Sequence, residues 1–510
     1  MRRFLVILLA LVSCPLVASA QPSSAALVSP QLARQVGMER MWYTQLGLDR
    51  GRGRIAGTFL RVSPVESHTV FQITHKGQRY VFSERDRNAF GKEIGVEGAQ
   101  AAAARKAEEI QKELQVAGQA DAAAPAVDKF VVPKITLYAS SERGTVHALD
   151  AETGRTLWTT SLGNSLYPTT APAANDRYVA VCNGSTLYFL EAGNGSVLWS
   201  RPVVGSPGAG PAVTDDYILV PMLNGQVETL SIEDPKRPAS LVRSFGRILV
   251  QPVVSSNSVA WTTDSGNLYV SLAHGTGLRF RMKASDAINS APAFLGPDKV
   301  YVTSFDGYLY CVNERKGNIL WRFTTGEPLM HSPVALGDKV YAISTRGNMF
   351  AVDANTAAER WVVPGIRSYL AGTEKRLYCL GERGELVILD AATGSPVGML
   401  PIAVGDVPLL NAQTDRVFLV TSTGFVQCLR EADHPWPLVH YMIEPQEKIV
   451  KRPTTPAGGK ADDKKPATST TDPFGTPSEG AATPAAGADP FGEPAGAAPK
   501  PPAADPFGTP

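Results

Sequence analysis

Four cysteines beyond the N-terminal segment (Cys182, Cys311, Cys379 and Cys428) and seven histidines are the residues of this chain best suited to redox, metal or nucleophilic chemistry. Metal and redox centres need thiols or imidazoles at short fixed separations, as in Cys-x-x-Cys or His-Glu-x-x-His, and neither spacing occurs. Each cysteine instead ends an apolar run (YVAVC, YLYC, RLYC, FVQC), where a free thiol acts as a small buried hydrophobe; export would equally permit disulfides. His68, His75, His147, His274, His331, His434 and His440 are scattered, and no Gly-x-Ser-x-Gly nucleophile elbow is present. His331 in LMHSP and Asp406 in GDVPL could reach a central channel or serve as hydrogen-bonded structure, while Asp215-Asp216 reads as turn chemistry. Arg50, Arg52 and Arg54 form either a phosphate site or a solvated loop. With 49 basic and 48 acidic residues the net charge is +1, which gives no field for nucleic acid or an anionic membrane. The expectation is therefore no catalytic residue, no cofactor-binding residue and no metal ligand.

The elements that would position any site follow from glycine. Gly144, Gly184, Gly225, Gly266, Gly307, Gly347, Gly384 and Gly424 recur about every forty residues, each at the mouth of a short apolar run. That period marks a β-propeller with one four-stranded blade per repeat. Pro172, Pro211, Pro252, Pro292, Pro333 and Pro408 punctuate the same frame, with Leu370 in the remaining place. Proline suits a strand start, where no ladder N–H is required. Four strands per repeat follow: one after the proline, one before the glycine, one after it, and one carrying a tryptophan. The fold class is all-β, an eight-bladed propeller, or seven blades with an irregular module. Met41 to Leu46 is the strand expected to close the ring, and Arg54 to Arg61 the innermost strand of the first blade.

Trp158, Trp321 and Trp361 lie fourteen residues after their glycines, Trp199 stands at the matching place, and Phe280 substitutes in the fourth copy. Periodic aromatic rings of this kind pack one blade on the next, each burying roughly 150–250 Å² and, for tryptophan, donating an indole N–H. Carbohydrate stacking is the competing role.

The run from Ala148 to Trp158, ALDAETGRTLW, resembles the tryptophan-docking repeat of the pyrroloquinoline-quinone-like propeller superfamily, and Ala351 to Trp361 matches it with Ala357 in place of glycine. The resemblance covers about Met41 to Met442. It implies either a quinoprotein dehydrogenase or a member of the non-catalytic branch, such as the scaffold lipoprotein of the outer-membrane β-barrel assembly machine. Dehydrogenases of the alcohol-oxidising kind carry adjacent cysteines and a glutamate, asparagine and aspartate set for calcium, and neither has a match here. The resemblance thus implies a scaffold that binds protein partners in the cell envelope, with no cofactor. A glycan-binding or sensor propeller is a third reading, for which Tyr167, Tyr308 and Tyr369 are candidates.

Residues 1–20 read as a secretory signal, with Arg2 and Arg3, an apolar core and Ala18-Ser19-Ala20. Cys14 in LVSC alternatively marks a lipid anchor. Residues 21–40 form a lead-in, 41–446 the propeller, and no transmembrane span is expected. Residues 62–131 break the period and read as an inserted hairpin, Thr69–Thr74 with Gln78–Ser83, followed by a helix from Gly98 to Val116. Residues 447–510 shift to proline, alanine, glycine and charged residues, the composition of a disordered tail. Within it Asp-Pro-Phe-Gly returns three times, through Asp472, Pro473 and Phe474, Asp489, Pro490 and Phe491, and Asp505, Pro506 and Phe507. Three copies on one flexible chain suggest a short docking motif, or simple duplication of low-complexity sequence.

Overall fold

The computed structural model describes residues 27–48, 53–116 and 123–443, apart from 297, 402–404, 408 and 442. Among the described residues the strands form eight antiparallel sheets, one for each glycine repeat. The fifth is typical: Ala293–Leu295, Lys299–Thr303, Tyr308–Asn313 and Ile319–Thr324 are hydrogen-bonded in that order. Pro292 precedes the innermost strand, and Gly307, at φ +80°, turns the second into the third. The two middle strands are buried almost throughout, because a neighbouring sheet covers each face. The outermost strand alternates exposed and half-buried residues, because only one of its faces meets protein.

Apart from one cluster under the helix Gly95–Val116, each core cluster spans two consecutive sheets. Tyr138, Val146 and Trp158 of the first sheet pack on Val179, Val181 and Leu190 of the second, and the series continues around the ring. It closes where Phe418, Val420 and Val426 of the last sheet meet Ile135, Leu137 and Leu149 of the first. Met38–Gln45 forms the outermost strand of that last sheet, pairing antiparallel with Phe425–Glu431. Joining the chain's two ends in one sheet removes the open edge that would otherwise template aggregation. The protein is a β-propeller.

The seams differ in how they are fastened. Trp158 Nε1 donates to Ala192 O of the next sheet at 2.8 Å, Trp321 to Ala354 O at 3.2 Å and Trp361 to Ala391 O at 3.2 Å. Phe280 has no N–H to give, and its ring lies over Gly317 of the following sheet. Trp199 stacks on Phe189 of its own sheet at 4.8 Å and packs near Ile232, since the third sheet lacks the docking turn. Trp42 is the fastener that the repeat spacing did not reveal: it donates to Ala151 O at 2.9 Å across the closing seam. A signal existed, because the eighth repeat has Leu438 where a tryptophan belongs while the closing strand supplies one. Between the seventh and eighth sheets Gly398 holds the tryptophan place, and Val36, beside the short helix Pro30–Gln35, fills the space.

Ala357 occupies the turn position that is glycine in the other docking turns, and it is held at φ +62°. A left-handed alanine is strained by roughly 1–2 kcal/mol, part of which glycine's extra freedom in the unfolded chain offsets. Ala357→Gly is therefore expected to stabilise the protein by about 0.5–1 kcal/mol, read as a rise in the urea midpoint. A fall would mean that the methyl group packs usefully.

The region expected to be an insertion is a continuation of the first sheet. One strand, Ile55–His75, contains both the innermost strand and the first arm of the hairpin, and it pairs with Asp128–Ser141 along most of its length. The register slips between Val62 and Ser67, where Lys134 bonds Glu66 at 2.5 Å, so the sheet bends there without ending. Sequence reading separated the two halves because this slip breaks the alternation. Gln78–Ser83 adds a third strand, and Ala99, Ala103, Ala107 and Ile110 of the helix Gly95–Val116 cover Phe71 and Ile73. No helix among the described residues is long and apolar enough to cross a membrane.

Candidate functional site

The thiols are held away from their reactive form. All four cysteines are free and buried. Burial pushes the Cys311 thiol up to about 11 and that of Cys182 up to about 12, so neither supplies a thiolate at neutral pH. Burial likewise holds His68 and His147 below the usual imidazole range. Among the described residues no three His, Cys, Asp or Glu side chains gather as a metal site would require. The Asp406 carboxylate accepts from Ser422 N and Oγ at 2.6 Å each, while the His331 side chain is exposed and its carbonyl accepts from Thr303 Oγ1 at 2.7 Å. Tyr369, one of the three tyrosines considered for glycan stacking, is buried in the seam between sheets six and seven and presents no face to a ligand.

One face of the ring does carry an unusual surface. In a sheet of four antiparallel strands, the turn between the middle strands and the connection to the next sheet emerge at the same end. At that end, over the first four sheets, Leu166 is 82% exposed, Tyr167 57%, Val204 63% and Phe245 68%, with Leu223 and Leu249 also exposed. These residues are joined. Tyr167 lies over Gly184, and a groove of about 550 Å³ runs from Tyr167 and Pro168 past Gly184 to Ser206 and Pro207, with Thr169, Thr170, Asn183, Ser185 and Thr186 making much of its wall polar. Ser206 O accepts from Leu223 N at 2.9 Å, and Gly208 touches the backbones of Leu223 and Ile248. Arg281 sits 5.4 Å from the centre of the Phe245 ring. Scattered exposed leucines are ordinary on proteins, but this crescent gathers large apolar side chains at one end of the ring, across a largely polar groove and beside Arg281, and such mixed surfaces are a feature of protein contacts.

The aromatic residues read from the repeat, Trp158, Trp199, Phe280, Trp321 and Trp361, all sit on outermost strands at the seams, away from this crescent. Sequence reading singled out only Tyr167 of the crescent, because its members sit in connections that vary from copy to copy and share no spacing. The Asp-Pro-Phe-Gly copies, with Phe474, Phe491 and Phe507, lie outside the described residues, as does Cys14.

Sheets stacked around an axis with tryptophan-docked seams define a propeller of the pyrroloquinoline-quinone-like class. A family model described as outer membrane protein assembly factor BamB matches residues 142–266 and 253–427, more than half of the chain, and the chain belongs to that family. Among curated relatives, the outer membrane protein assembly factor BamB of Yersinia pestis is 22% identical over 284 residues, covering 50% of this chain and 63% of its own length. The chain thus spans somewhat less than two thirds of that relative. The Shewanella oneidensis protein of the same name is 23% identical over 286 residues, covering 49% and 70%. The crystal structure of BamB from Moraxella catarrhalis superposes with a TM-score of 0.50 at 17% identity, over 59% of this chain and 92% of that one, a likeness of fold. The sheet extension and helix of residues 63–131 lie outside the family match.

Proposed function

We propose that this protein is an exported, non-catalytic scaffold of the bacterial cell envelope that takes part in outer-membrane protein assembly by gripping a protein partner through the apolar crescent. The observation that carries this reading is the joined exposure of Leu166, Tyr167, Val204 and Phe245 on one end of a rigid ring. The relatives' description as assembly factors supports it. The Asp-Pro-Phe-Gly motifs supply a second, weaker set of contacts on the same partner or another, each copy raising the effective concentration of the next.

Photo-crosslinking in cells tests the crescent directly. A photoreactive residue at position 245 is expected to capture an outer-membrane assembly component, and Leu166→Asp with Val204→Asp to reduce that product at least tenfold while leaving the fold intact. A residue placed instead at Arg315, an exposed turn at the opposite end of the ring, supplies the comparison. Equal capture from both positions would remove the crescent from the proposal.

A further inference from the structure

Where the channel side of the ring meets its last described segment, the innermost strands of the fourth, fifth and sixth sheets line a partly open pocket of about 260 Å³. Its wall is apolar, built by Val254, Phe294, Pro333, Leu336, Leu410 and Ala412, and His440 and Tyr441 cross its mouth. That crossing segment is fastened: His440 N donates to Gln413 O at 2.8 Å, and His440 Nε2 sits 2.8 Å from Gly372 O. The few polar wall groups are mostly committed. Ser332 Oγ accepts from Ala291 N at 2.9 Å, and no lysine or arginine among the described residues borders the space. Gln413 is the exception, because its side-chain oxygen is buried and has no hydrogen-bond partner.

An apolar cavity of even ~150 Å³ stays dry and takes up benzene, because water inside would lose hydrogen bonds that the wall cannot replace. A larger space of the same chemistry, in a scaffold too rigid to collapse, gains by filling. A buried acceptor without a donor is an additional penalty that a ligand N–H or O–H relieves. We infer that this pocket binds a small, flat, neutral aromatic molecule carrying one hydrogen-bond donor, a molecule of the size and polarity of indole. The wall selects against anions, since it offers no cation and would strip a charge of its water. The inference is independent of the crescent, which lies at the glycine-turn end of the first four sheets.

Titration calorimetry on the full chain, with indole as probe and benzothiophene as its isostere lacking a donor, tests this. The expected result is saturable one-to-one binding of indole, at least severalfold tighter than benzothiophene. Gln413→Met should erase that preference and leave benzothiophene binding as it was. Ala412→Phe, which fills the space, should weaken both at least tenfold, and Ala335→Leu provides a gentler filling should the phenylalanine disturb folding, judged by thermal unfolding. Absence of saturable binding by either probe, or binding unchanged in both filled variants, overturns the site. Equal affinity for the two probes overturns the role of Gln413 and with it the donor-bearing class of ligand.

Discussion

Replacing Arg416 with methionine is expected to lower folding stability by about 3–5 kcal/mol, because it leaves buried carboxylates without their counter-charge. The Arg416 side chain is fully buried at the seam where the last sheet meets the first. Its guanidinium holds Glu152 of the first sheet's docking turn through two bonds of 3.1 Å, touches Asp415 at 3.2 Å, and donates to Pro435 O at 3.0 Å. Asp415, also fully buried, accepts from Leu438 N at 2.9 Å. One cation thus gathers the closing seam, the first sheet and the segment that runs on toward the channel pocket. Lysine cannot substitute fully, since a single ammonium does not reproduce the fork that engages both Glu152 oxygens.

The pH dependence separates a stranded charge from lost packing. Burial already holds the carboxyls of Glu152 and Asp415 above the usual carboxylate range, against the pull of Arg416. Without the guanidinium both rise further. Between the ordinary pKa and the raised folded one, the folded state binds more protons than the unfolded state, so the free energy of unfolding increases as pH falls. The deficit of Arg416→Met relative to the parent should therefore shrink from about pH 8 to about pH 5 in urea titrations. A deficit of constant size would assign the loss to packing alone.

The ring was legible because it is periodic. Turn glycines at forty-residue spacing recur in each sheet and prolines at strand starts in most of them, recording backbone requirements of the repeat, and the closing strand around Trp42 completes a repeat that otherwise lacks its last strand. What was not legible depends on pairs far apart in the chain. Arg416 and Glu152 are each unremarkable in sequence and meet only because the ends of the ring meet. The strand Ile55–His75 looked like two elements because four residues, 63–66, slip out of register and hide its continuity. The crescent escaped for a further reason: an exposed leucine carries no local signature, and only the up-and-down order of strands places Leu166, Val204 and Phe245 at one end.

Trp158→Ala is expected to cost about 3–5 kcal/mol, through the ring's lost burial and the unmatched Ala192 carbonyl left in the seam. Trp199→Ala should cost markedly less, because Trp199 is only half-buried and makes no bond to the next sheet among the described contacts. The docking geometry gives a sharper test than either truncation. Gly195 has φ +72°, and a methyl group built on it would lie 2.4 Å from Cε3 of the Trp158 ring. Gly195→Ala therefore meets a left-handed alanine of roughly 1–2 kcal/mol, displacement of the ring from its slot, and a smaller displacement of Thr160 Oγ1. Only the displacement of the ring depends on the tryptophan. In a Trp158→Ala background the same substitution should cost only the backbone strain and the shift of Thr160 Oγ1, which would lie 2.7 Å from the methyl group, so the double-mutant cycle is expected to show a coupling of about 1–3 kcal/mol, measured from urea midpoints. Additive effects would mean that Gly195 is required for its backbone conformation alone, and that the ring reaches Ala192 without needing the space a side chain would fill.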